Sequence, residues 1–184
     1  MKQVKGTMVV TIVKSIRANH SKKDEYDKIL SDRAKKFLDQ RILSSSWYPF
    51  EEYKECFEAL CFVEVKNNPT SLNQWGHNEA IRWLTTIYQS AIIKGDIHLA
   101  AEKYSRFHRM VFNFGEVKPE FISDTVLNYT YIDIDRDWEN FYHIAAGWAQ
   151  KFIELSIDKK VDYTFLKKSW KGEGWTKIML SWAS

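Results

Sequence analysis

Apolar residues return every three or four positions from about residue 7 to 18, where Val9, Val10, Ile12, Val13 and Ile16 fall on one face of a predicted helix. The polar turn "NHSKKD" separates it from a second helix, in which Tyr26, Ile29, Leu30, Phe37 and Leu38 keep that spacing to about residue 41. "SSSWYPFEEY", residues 44–53, reads as the entry to a third. Serines cap helix N-termini, and proline is tolerated in a first turn, where the N–H it lacks has no partner. Glu51 and Glu52 follow where the helix dipole favours acids. Phe50, Tyr53, Phe57, Leu60 and Cys61 form the buried stripe, and Trp47 and Tyr48 are expected to fold back on the core as a hydrophobic staple.

After "KNNPTS", Ser71 is the expected cap of the most regular helix, carried by Leu72, Trp75, Gly76, Ala80, Trp83, Leu84, Ile87, Tyr88 and Ala91. Gly76 costs stability inside a helix, so a close neighbour is expected there. Gly95 ends this helix and Asp96 caps the next. That fifth helix turns Ile97, Ala100, Ala101, Tyr104, Phe107, His108, Val111 and Phe112 inward, making a helical hairpin with the fourth.

The period then shortens to two. Residues 115–122 and 125–134 alternate and are rich in β-branched and aromatic side chains, so two strands are expected. A helix capped by Asp135 or Asp137 follows, with Trp138, Phe141, Tyr142, Ala145, Trp148, Ala149 and Phe152 inward. "VDYTFLKKSW", "KGEG" and "WTKIMLSW" read as a closing β-hairpin. The expected architecture is α+β: about five N-terminal helices, then a small antiparallel sheet of about four strands with one further helix packed on it, in a single domain over residues 1–184.

Composition changes this picture in one respect. The chain is 45% hydrophobic and 28% charged, as water-soluble domains are, but its aromatic share is 15%. A core of so many large rings leaves gaps that a small apolar molecule can fill. Cys56 and Cys61, five positions apart within one helix, are badly placed for a bridge and read as reduced core thiols, which points to the cytoplasm. Residues 1–23 carry six cations and no acid, so this segment is +6 and the rest, within a total of +3, is −3. Peripheral contact of this basic segment with an anionic membrane is the weaker reading; the preferred one packs its valines and isoleucines inward and leaves the lysines in water. "TMVVTIV" is broken by Lys14, so no signal peptide is read there, and no window is long and apolar enough for a membrane span.

Candidate chemistry is sparse. Asp133, Asp135 and Asp137 have the spacing that opens a calcium loop, but positions six and twelve, which require glycine and glutamate, hold Trp138 and Ile144. His108 lies on an apolar helix face, where a haem ligand is one reading and a core histidine bonded to a carbonyl the preferred one. No HxxxH or HExxH pattern occurs, no metal or cofactor is expected, and no nucleophile beside a strained glycine turn argues for an enzyme. "FLKKSWKGEGWTK" interleaves cations and rings as single-strand binders do; a half-buried hairpin gives the same pattern and is preferred over nucleic acid.

"KGTMVVTIVKSI", "ILSSSWYPFEEY", "WGHNEAIRWLTTIYQSAIIKGD", "FNFG" and "KGEGWTKIMLSW", taken in order, resemble a bacterial family expanded in myxobacteria. That family in turn resembles the 4-vinyl reductase-like domain, which shares an α+β fold with trafficking-complex (TRAPP) subunits. The resemblance implies a small hydrophobic ligand or an assembly surface in signalling. The closing motif of that class carries cysteines around a glycine–aspartate turn. Here Gly172 and Glu173 fit the turn, but Lys168 or Ser169 and Thr176 stand where the cysteines would be, so no metal is carried over.

The leading expectation is thus a non-catalytic bacterial regulatory or sensory domain that binds a small hydrophobic ligand among Trp83, Tyr88, Tyr104, Phe107 and His108. The rival is a protein-interaction module, a homodimer or signalling scaffold, without ligand.

Overall fold

Lys5 and Gly6 turn a short strand directly into a helix because no side chain stands at position 6: a Cβ there would lie 2.0 Å from the Leu43 carbonyl oxygen. This is a computed structural model, and it describes residues 1–86, 89 and 92–184. They form two compact units, one of residues 1–68 and 110–114, the other of 69–109 and 115–184.

In the first unit β1 (Gln3–Lys5) leads into α1 (Gly6–Ala18), and β2 (Trp47–Pro49) leads into α4 (Phe50–Val65). The two strands pair antiparallel, Val4 opposite Tyr48. Between them run α2 (Lys23–Ile29) and α3 (Asp32–Asp39), and α1, α2 and α3 all pack on α4. Val9, Val13 and Ile16 of α1 are buried in this core with Tyr53, Phe57 and Leu60 of α4.

The helix entry differs from the expected one. Pro49, not a serine, is the N-cap of α4, because pairing with β1 holds "WYP" extended up to the first helical residue. Gly6 N donates to Ser46 O at 2.8 Å and Phe50 N to Lys2 O at 3.1 Å, so the backbone groups of this entry are used by the strand pair. Tyr48 folds inward as a staple residue: its ring stands edge-on to Phe37 at 6.1 Å and its hydroxyl accepts from Leu43 N at 2.7 Å. Trp47 stays 38% exposed. The expected second helix is broken in two at Leu30 and Ser31, since Glu55 of α4 accepts from both Ser31 N and Ser31 Oγ, at 2.6 and 2.9 Å, and Ser31 Oγ caps α3 by accepting from Ala34 N.

The second unit holds α5 (Pro69–Thr86), most of α6 (Ile97–Val111), β3 (Glu116–Ser123), β4 (Val126–Ile132), α7 (Glu139–Ile157), β5 (Val161–Lys167) and β6 (Thr176–Trp182). Its antiparallel sheet has the order β3-β4-β6-β5, so the closing hairpin inserts β6 beside β4. Strand alternation buries Leu127, Tyr129, Tyr131, Ile178 and Leu180. Asp96 caps α6 as expected, its Oδ1 accepting from Leu99 N at 2.9 Å. Neither Asp135 nor Asp137 caps α7; Trp138 is the N-cap, and Asp135 Oδ1 turns onto its own loop to accept from Asp137 N at 3.2 Å. Of the residues placed at the end of the fourth expected helix, Ile87, Tyr88 and Ala91 lie outside those described.

The close neighbour of Gly76 is α7. A Cβ on Gly76 would lie 2.0 Å from Ile144 O, and one on Gly147 would lie 2.0 Å from Asn73 O, so α5 and α7 cross backbone to backbone. The architecture is α+β, helices first and the four-stranded sheet after them. No described helix is long and apolar enough to cross a membrane.

Candidate functional site

Residues 104, 107 and 108 share one face of α6 through their helical spacing. Tyr104 reaches into a ring layer, with centroids 4.5 Å from Tyr129 of β4 and 5.7 and 5.8 Å from Trp148 and Phe152 of α7. Phe107 stacks on Trp148 at 4.9 Å and meets Trp83 of α5 edge-on at 6.1 Å. These offset and perpendicular geometries are the favoured ones for aromatic pairs. His108 is buried one turn past Tyr104. Four of the five expected site residues therefore fall in one part of the second unit, and Tyr88 lies outside the described residues. Trp148, Phe152, Tyr129 and Tyr131 complete the layer. Their inward stripes were readable, but not that these stripes meet Tyr104.

A short polar thread runs through the rings. Tyr104 Oη is 2.5 Å from Tyr131 Oη and 3.3 Å from the Ala145 carbonyl, so Tyr131 donates to Tyr104 and Tyr104 donates to Ala145. Tyr129 donates to Ala101 O at 3.4 Å. Burial raises all three phenols well above the ordinary tyrosine value, which keeps them neutral. Around Tyr104 the layer thus presents ring faces and neutral hydroxyls, and at its Trp83 edge the indole Nε1 donates to the Glu79 carboxylate at 3.1 Å.

The turn where the sequence resemblance would place cysteines is closed by two hydroxyls instead. Ser169 Oγ and Thr176 Oγ1 lie 2.9 Å apart, both residues buried, and Ser169 Oγ also donates to Arg136 O. The real cysteines, Cys56 and Cys61, are free and buried in α4; burial pushes the Cys56 thiol up to about 12 and the Cys61 thiol higher still, so both are unreactive. Among the described residues no cluster of three or more His, Cys, Asp or Glu is placed to hold a metal. In the first unit a cleft of about 640 Å³ runs beside α4, lined by Ile29, Arg33, Glu52, Glu55 and Phe62. Two of its acids hold neighbouring elements: Glu52 takes Arg33 Nε at 2.6 Å and Glu55 accepts from the start of α3.

This arrangement of helices and sheet is an H-NOX-like fold. No family model matches the chain, and no curated protein is significantly similar to it in sequence. Among solved structures, it resembles an H-NOX protein from S. oneidensis in the Fe(II)NO ligation state, at 9% identity and a TM-score of 0.66, covering 98% of this chain and 99% of that one. It resembles a mutant of T. tengcongensis H-NOX at 13% identity and a TM-score of 0.61, with 98% of each chain covered. A trafficking protein particle complex subunit 3 from Naegleria fowleri, covalently bound to palmitic acid, matches at 14% identity and a TM-score of 0.54, over 71% of this chain and 93% of that one. The expected likeness to trafficking-complex subunits is present in the fold. Over its full length, though, the chain is like H-NOX domains, where the sequence resemblance pointed to the 4-vinyl reductase-like domain.

Two further structures of this likeness concern haem distortion in H-NOX proteins and protein-induced porphyrin distortion. An iron–histidine bond requires an imidazole nitrogen facing an apolar recess wide enough for a porphyrin. His98 of α6 is exposed and its ring lies 4.0 Å from that of Phe121. His143 is walled in by Phe165 and Trp170 at 5.2 and 5.7 Å, with Glu139 3.7 Å from its Nε2. His108 is buried on the same face of α6 as Tyr104. The surroundings of His98 and His143 do not fit a haem.

Proposed function

We propose that this chain is a non-catalytic sensory or regulatory domain of the cytoplasm that takes up a small hydrophobic molecule. The ligand enters at the edge formed by Trp83, Phe107 and Trp148, and the hydroxyl pair of Tyr104 and Tyr131 orients its polar end. The observation that carries this reading is that pair: two neutral hydroxyls 2.5 Å apart inside a layer otherwise made of rings. Ligand sites combine apolar walls with a few placed polar groups in this way. The fold neighbours support it, since one of them is in an Fe(II)NO ligation state and another holds palmitic acid. Tyr88 and His108 are retained as candidate contacts.

A second reading, an interaction module without ligand, rests on a different observation. Around the contact of His98 with Phe121, Leu99 is 38% and Ile122 58% exposed, an apolar edge that a second copy would cover.

Native mass spectrometry of freshly purified protein separates the two. A co-purifying small mass that is lost in Phe107→Ala supports the ligand reading, and a bare two-subunit mass supports the second. A bare monomer overturns both.

A further inference from the structure

Residues 1–23 carry Lys2, Lys5, Lys14, Arg17, Lys22 and Lys23 and no acid, and the structure sorts these cations by partner. Lys2 lies over the rings of Phe50 and Phe114, 5.8 and 5.1 Å from their centroids, and Lys5 lies over Trp47 at 4.8 Å. Lys22 pairs with Glu64 at 3.0 Å. Lys14 and Arg17, one turn apart on α1, are different. Together with Arg41 they rim a recess of about 330 Å³ whose apolar wall is Val10, Val13 and Ile42.

The guanidinium of Arg17 donates to the carbonyl of Leu38 and, at 2.9 Å, to that of Gln40. Those acceptors have no formal charge, so the bonds fix the guanidinium in place without neutralising it, and its remaining N–H groups stay available. Among the described residues no ion pair reaches Lys14, Arg17 or Arg41. The single acid of the recess is Asp39. Three cations against one carboxylate leave an excess of two positive charges, and a concave surface with apolar walls concentrates that field. A phosphomonoester dianion matches this excess better than a carboxylate does, and a fixed arginine fork suits phosphate oxygens.

We infer that this recess binds an organic phosphate, its head held by Lys14, Arg17 and Arg41 and a short apolar tail laid on Val10, Val13 and Ile42. The site lies wholly within the first unit and is independent of the ring layer in the second. The same chemistry occurs in a phospholipid headgroup and in a soluble alkyl phosphate.

Octyl phosphate is the probe, with octylamine as the tail-matched control and calorimetry as the measurement. Saturable binding of octyl phosphate and none of octylamine is expected. Lys14→Ala with Arg41→Ala, both exposed positions, is expected to weaken it about tenfold or more, with the circular dichroism unchanged. Lys23→Ala, an exposed cation outside the recess, leaves it unchanged. Absence of saturable binding, equal affinity in the double variant, or an equal loss in Lys23→Ala overturns the inference. Co-sedimentation with vesicles of phosphatidic acid in phosphatidylcholine, abolished by the double variant, assigns the site to a membrane headgroup. Octyl phosphate binding without co-sedimentation assigns it to a soluble phosphate.

Discussion

The phenolic oxygens of Tyr104 and Tyr131 lie 2.5 Å apart, joining α6 to β4 inside a layer of aromatic rings. Tyr104→Phe leaves the Tyr131 hydroxyl buried with no acceptor, at an expected cost of about 1–3 kcal/mol. Removing both hydroxyls costs less than the sum of the single losses, because no polar group is then stranded. Urea unfolding of the two single variants and the double one measures this coupling, and strictly additive losses would show that the pair does not act as a unit.

Gly147→Ala is expected to be among the most damaging single changes available. Its methyl group would lie 2.0 Å from the Asn73 carbonyl oxygen, and the obstacle is backbone, which has no rotamer with which to yield. A loss of roughly 3 kcal/mol or more is expected. Gly76→Ala meets Ile144 O at the same distance, and the two losses fall short of additive because either one already parts the crossing. Denaturation midpoints test this. Gly174→Ala, where a Cβ meets nothing within 4 Å, is the control.

His143 supplies an acid-side limit to stability. Burial holds its imidazole below the ordinary value of 6.5; Glu139 pulls the other way, and the charge of Lys168 adds to the lowering. Well above that value neither folded nor unfolded chain carries the proton, so the residue contributes nothing to the pH dependence. As pH falls through 6.5 the unfolded chain takes up the proton first, and stability is lost until the folded imidazole titrates as well. His143→Gln is expected to flatten this limb of the curve. Urea midpoints followed from about pH 7 to 5 check it, and an unchanged slope would remove His143 from the account.

How far the molecule could be read from its sequence depended on how local each cause was. The start of α6 was legible because the Asp96 cap acts within a few residues. The strands were legible because Leu127, Tyr129 and Tyr131 alternate with residues of the other face. The break between α2 and α3 was not, since the carboxylate that makes it belongs to Glu55, 24 positions beyond Ser31. Nor was the extended "WYP", whose partner strand begins at Gln3. At the candidate site, Trp83, Tyr104 and Phe107 stood out as stripe residues. That Trp148 and Tyr131 would complete their layer depended on which helix crosses α5, and the only local trace of that was a glycine in mid-helix. The candidate phosphate recess was foreshadowed only as surplus charge, because the sorting of its lysines was done by rings and carboxylates elsewhere in the unit.

The crossing at Gly76 and Gly147 also constrains how a signal could travel. Two helices in main-chain contact have no intervening cushion of side chains to rearrange, so α5 and α7 form a single stiff beam. If the chain is the sensory domain proposed above, a stimulus felt in the second unit is expected to displace α6 or the sheet against that beam rather than to bend it.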